Sequence, residues 1–173
     1  MNVDPVPVTV AALAVAWLFV HAVWHKLRAF GEFTTVLASY RLTPAPLTKP
    51  VALLLVALEA AVAVGAVLDF AAAFQAAAAL LGLYALAIAV NLVRDRALLD
   101  CGCGGPPQPI SWWLVLRNLA LIGVAVVALL PTSARTLGPL DAVTIGAALL
   151  VAGGLYAAAN SLYAARAQLE EWV

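Results

Sequence analysis

The sequence predicts an all-α fold, a polytopic membrane helical bundle of about five transmembrane helices plus a short interfacial helix, and three observations carry that prediction. Hydrophobic residues make up 65% of the chain and charged residues 10%, with a mean hydropathy of +1.03, whereas soluble domains hold about 45–50% apolar residues. Five apolar stretches, 6–23, 51–68, 70–93, 112–130 and 143–163, come close to or exceed the ~20 residues a helix needs to cross a bilayer. They are rich in Ala and Leu and lack the alternation of a barrel strand, and lipid offers no partner to an open backbone group, so they read as helices. They occupy most of the chain, and residues 1–173 read as a single integral membrane domain.

Taken in order, the N-terminus carries Asp4, Pro5 and Pro7 in place of a basic signal-peptide region, so the first span is expected to be retained. Segment 27–43 sets Phe30, Phe33, Val36, Leu37 and Tyr40 at three- and four-residue steps among Glu32, Thr34, Thr35 and Arg41. That pattern predicts a short amphipathic helix at the interface, closed by Pro44 and Pro46. Asp69 marks a tight turn between the second and third spans, and 131–139 links the fourth to the fifth. Segment 94–111, with three glycines and three prolines, is the one long connection expected to lack regular structure. Trp17, Trp24, Trp112, Trp113 and Trp172 fall mostly where an aromatic belt would sit, and Gly153-Gly154 permits close helix packing.

The net charge is zero, which gives no field for nucleic acid. Its distribution is lopsided. Lys26, Arg28, Arg41, Lys49, Arg94, Arg96 and Arg166 flank one side, with Arg117 just inside it, and Arg135 alone flanks the other. The positive-inside rule then places the N-terminus outside and the C-terminus inside. His21, His25, Asn91, Asn118 and Asn160 gather toward the same basic side. Glu59 lies about halfway along the second span, where a carboxylate needs a partner, with His21 or Tyr84 in prospect, or else takes up a proton.

Cys101 and Cys103 are the chain's two cysteines, separated by Gly102, and they too fall on the basic side. A disulfide across one residue closes a small strained ring, for which Gly102 supplies backbone freedom, and strain makes such a bond a labile oxidant. Arg94, Arg96 and Arg117 would favour a thiolate, and Asp100 would oppose it. A second chemistry uses the same sulfurs with His21 and His25, an i,i+4 pair, as ligands for copper(I), zinc or mercury. A third reading is a structural membrane subunit.

His25-Lys26-Leu27-Arg28, Phe33, Tyr40-Arg41-Leu42-Thr43-Pro44, Asn91-Leu92-Val93-Arg94-Asp95-Arg96, Asp100-Cys101-Gly102-Cys103-Gly104-Gly105 and Leu116-Arg117-Asn118 occur in that order. This set resembles the MauE/DoxX family of redox-associated membrane proteins, its MauE branch in particular, over roughly 13–130, with the helix at about 143–163 as an addition. The chain departs from the pattern at Gly104-Gly105, where an aromatic often precedes the second glycine. The resemblance implies a multi-pass protein of the bacterial inner membrane that partners a thioredoxin-fold protein in disulfide formation in exported proteins. Cys101, Cys103 and Arg117 are then the reacting centre, with His21, His25, Lys26, Glu59, Asn91, Arg94 and Asn118 in support. A quinone enters as electron sink by analogy with other membrane disulfide-forming systems. An exported partner and a thiol loop on the basic side pull in opposite directions. By the charge count, a membrane-impermeant thiol reagent is expected to spare Cys101 and Cys103 in intact cells after mild reduction and to label them in inverted vesicles; labelling in intact cells would reverse the orientation.

Overall fold

The structure, a computed structural model, describes residues 2–102 and 108–170, with the side chains of 164 and 166–170 outside that description. Six α-helices run through these residues: α1 (Pro5–Arg28), α2 (Phe30–Ser39), α3 (Thr48–Val67), α4 (Ala71–Val93), α5 (Trp112–Val127) and α6 (Pro139–Glu170), with a 3-10 turn at Ala45–Leu47 leading into α3. The described residues form no strand, only isolated bridges.

α1 begins where the Asp4 side chain accepts the Val6 N–H at 2.9 Å, with Pro5 in the first turn, where its missing N–H costs nothing. It runs five residues beyond the expected span, because Lys26 and Arg28 extend the helix with cations at its negative end. The break comes at Ala29, and Arg41, in the left-handed region at φ 51°, lies just beyond α2. The amphipathic segment is therefore shorter than 27–43: Leu27 and Arg28 complete α1.

Between α3 and α4 the chain reverses through Asp69 at φ 57°, with the Phe70 N–H on the Gly65 carbonyl at 2.9 Å. A Cβ at Gly65 would come within 2.7 Å of the Ala73 Cβ, so only glycine lets the two helices meet this closely. Four helices close a ring in which α1 packs on α3, α3 on α4, α4 on α5, and α5 back on α1. Val15, Phe19, Phe74, Ala77 and Ala125 fill its centre. α6 lies outside the ring against α1, with Leu140, Val143, Leu150, Leu155 and Leu162 exposed, as a lipid solvent favours.

Four segments, α1, 45–67, α4 and 139–163, are long and apolar enough to span a membrane. α5 has 16 residues, about 24 Å of helix, and hydrogen-bonded turns carry the chain on to Leu130. The chain is thus an all-α membrane bundle, as its composition predicts.

At the end away from Cys101, the Val3 N–H reaches the Pro131 carbonyl and the Ser133 N–H reaches the Val3 carbonyl, both at 2.9 Å. Arg135 joins Asp4 at 3.1 Å and Asp141 at 2.8 Å. The Arg135 guanidinium, aided by the Val6 N–H, holds the Asp4 carboxyl below its ordinary range. A depressed folded-state value means that Asp4's contribution is present above the ordinary Asp range, near 3.9, and is lost as pH falls through the lowered one. Protection of the Val3 and Ser133 amides against hydrogen exchange, corrected for intrinsic rate, is therefore expected to fall below about pH 4. In Arg135→Gln it should be low at every pH.

Candidate functional site

The C-terminal ends of α1 and α4, the start of α5 and helix α2 meet at one end of the ring, where residues 99–101 lie against 108–110. The Cys101 N–H donates to the Gln108 carbonyl at 2.9 Å and the Ile110 N–H to the Leu99 carbonyl at 2.8 Å, pinching the segment into a loop. Tyr40, Ile88, Ile110 and Leu114 form a small apolar cluster beneath it, and Cys101 packs against that cluster. Gly102 adopts φ 67°, donates its N–H to Asp100 Oδ1 at 2.8 Å, and leaves no room for a Cβ, which would meet Val36 of α2 at 2.8 Å. Both the backbone conformation and the contact require glycine there. Cys101 is disulfide-bonded. Cys103, with the Gly104-Gly105 pair, lies outside the described residues.

Two arginines hold this loop in different ways. Arg117 Nη2 approaches Cys101 Sγ at 3.8 Å, while its Nη1 donates to Asn160 Oδ1 of α6 at 3.0 Å and its guanidinium sits over the Tyr156 ring at 5.9 Å. Arg96 instead binds backbone and amide: Nη2 donates to the Ser39 carbonyl at 2.6 Å, and Nη1 to the Tyr40 carbonyl at 3.2 Å and Asn91 Oδ1 at 2.9 Å. It thereby meets carbonyls left open at the end of α2. The Tyr40 hydroxyl donates to the Cys101 carbonyl at 3.5 Å; burial, then the nearby Asp100 charge, pushes its pKa up and keeps it a neutral donor.

Asn91 and Asn118 are buried and donate to carbonyls one turn back, of Ala87 and Leu114. Arg94 is exposed at the C-cap of α4, so the contacts near the loop belong to Arg96. In the sequence Arg96 counts only as a charge near the sulfurs and Asn160 only as one of the polar groups gathered at that end, while Tyr40 and Tyr156 carry no site role. An arginine three residues past the end of a helix, within reach of a neighbouring helix terminus, is the signal that pointed to the first of these.

Lys26 and Glu59 form a buried ion pair, 7% and 1% exposed. The Tyr84 hydroxyl donates to the same Glu59 Oε1 at 2.6 Å, and the Lys26 ammonium lies 4.9 Å from the Tyr84 ring centre and 5.0 Å from that of Phe33. Of the two partners expected for Glu59, Tyr84 is present, and Lys26 takes the other place. His21 and His25 pack edge to face at 4.4 Å on the outer face of α1, in an open cleft lined by Trp17, Val20, Trp24 and Arg28. Among the described residues, all of that lining belongs to α1. Among the described residues no group of three His, Cys, Asp or Glu side chains is placed to hold a metal ion.

A guanidinium beside a sulfur can stabilise that sulfur as a leaving thiolate, the chemistry of disulfide exchange. Residues 5–131 match the family described as methylamine utilisation protein MauE, a stretch holding the four ring helices, α2 and the thiol loop. Among curated relatives, methylamine utilization protein MauE of Paracoccus denitrificans is 45% identical over 127 residues, 71% of this chain and 68% of that protein. The protein of the same name from Methylorubrum extorquens is 40% identical over 80% of this chain and 77% of its own length. That from Methylophilus methylotrophus is 37% identical over 91% of this chain and 86% of its own length, so its alignment reaches into α6. No solved structure matches.

The buried pair makes a direct prediction. Lys26→Met leaves the Glu59 carboxylate without its cation and is expected to cost about 3–5 kcal/mol. Lys26→Met with Glu59→Leu should recover most of that loss, as read by equilibrium unfolding in mixed micelles.

Proposed function

This chain belongs to the MauE family, and from that membership we propose that it is a membrane thiol–disulfide oxidoreductase, or an accessory subunit of one, serving methylamine utilisation. The observation that carries the reading is the Arg117 guanidinium 3.8 Å from Cys101 Sγ, where hydrogen bonds tie Leu99 and Cys101 to Ile110 and Gln108. Cys101 and Cys103 form the reacting pair, and the partner is a thioredoxin-fold protein. A partner thiolate attacks Cys103, the Cys101–Cys103 bond breaks, and Cys101 leaves as a thiolate beside Arg117 while a mixed disulfide forms. The partner's second thiol then expels Cys103. The partner departs with a disulfide, and the pair, having gained two electrons and two protons, is left as two thiols. A quinone, reduced to its quinol, is the class of acceptor that restores the disulfide.

The protein resides in the bacterial inner membrane in this reading. Burial of Lys26 against Glu59 removes one cation from the basic side, yet the remaining basic residues there still outnumber Arg135, which supports a cytoplasmic thiol end. The soft-metal alternative lacks a comparable support, since His21 and His25 face each other on α1.

Replacing both Cys101 and Cys103 with serine is expected to abolish oxidation or reduction of the partner while leaving helicity and unfolding unchanged. Arg117→Gln should slow exchange by about threefold, because a rate follows the stability of a thiolate only in part. An unchanged redox state of the partner in the double-serine chain would remove the proposal.

A further inference from the structure

Arg117 projects from the second turn of α5, near the start of that apolar helix. A long cation in that position ordinarily extends toward headgroups and water. Here two groups on α6 turn it inward: Asn160 Oδ1 accepts from Nη1 at 3.0 Å, and the Tyr156 ring lies 5.9 Å below the guanidinium, which leaves Nη2 aimed at Cys101 Sγ. Tyr156 and Asn160 are four residues apart and share a helix face. α6 is otherwise a largely exposed helix that joins the ring along α1, and it lies beyond the stretch that matches the family. A polar anchor on so apolar a helix has a plain use if it orients the cation.

We propose that Asn160, with Tyr156, is a positioning residue of the thiol site, so that α6 holds the Arg117 guanidinium against Cys101 Sγ. The inference rests on the thiol chemistry above for its functional meaning, and it names α6 as the element that tunes the pair. Among the described residues, the groups facing Cys101 include Arg117 from α5, Asp100 from the loop itself, its carboxylate tied to the Gly102 N–H, and the Tyr40 hydroxyl from the end of α2. Of these described groups, Arg117 is the one whose charge favours a thiolate. Loosening it destabilises the reduced pair, and the equilibrium in which two glutathione thiols reduce the chain's disulfide to two thiols, forming one glutathione disulfide, moves back toward the chain's disulfide.

The test is that equilibrium, measured on the full chain in micelles across glutathione redox buffers. Asn160→Ala is expected to shift it toward the chain's disulfide by roughly threefold, and Arg117→Gln by more. Adding Asn160→Ala to Arg117→Gln should change nothing further, because the asparagine acts through the arginine. Tyr156→Leu, which keeps the hydrogen bond and removes the ring, should move the equilibrium in the same direction. An unshifted equilibrium in Asn160→Ala, or an equal shift from it in the Arg117→Gln background, would overturn the inference. The measurement needs no partner protein, so loss of the oxidoreductase reading in cells and loss of this coupling in micelles are separate results.

Discussion

A charge placed in hydrocarbon must be met inside the protein, and in this bundle Lys26, Glu59 and Tyr84 meet that requirement by joining α1, α3 and α4 at a single carboxylate oxygen. The consequence reaches the surface. Lys26 stands two residues before the end of α1, so fixing it fixes where α1 stops and where α2 begins. α2 in turn carries Phe33 over the ammonium, Val36 against Gly102 and Tyr40 beneath Cys101. The floor of the thiol loop is thus set by an interaction buried in the ring, which no single element of the loop could impose.

On that floor the basic residues divide their work by chemistry. Arg96 spends its planar donors on two carbonyls and an amide, which ties the loop's approach to α2 and α4. Arg117 directs one nitrogen to sulfur and another to α6. A third, Arg94, stays exposed. Equal charges two residues apart therefore have unequal roles, because geometry and desolvation, not the number of cations nearby, decide which one perturbs a thiol.

Membership of the MauE family places these features within a shared core, since residues 5–131 contain the ring, the buried pair and the loop with Cys101. α6 stands apart as a peripheral helix whose Asn160 accepts from Arg117 of α5, the arginine beside the loop. The sulfurs thus belong to the matched core, while the outer helix meets the arginine beside them from outside the matched stretch.

Spans, their order and the gathering of polar groups at one end were legible in the residues, because hydropathy over about twenty positions is a sum that no packing detail can reverse. The cost of Glu59 and the pairing of Cys101 with an arginine were legible for the same kind of reason: an isolated carboxylate or thiolate in apolar surroundings demands a partner of known sign. Which partner answers was not. Lys26 over His21, Arg96 over Arg94, and Asn160 as the hold on Arg117 depend on helix rotation and on where each helix ends, quantities settled by side chains meeting across the ring rather than along the chain. The sequence by itself determined the solvent and the chemistry available; only the tertiary structure decided which groups stand within hydrogen-bonding distance, since that is a property of distances between helices.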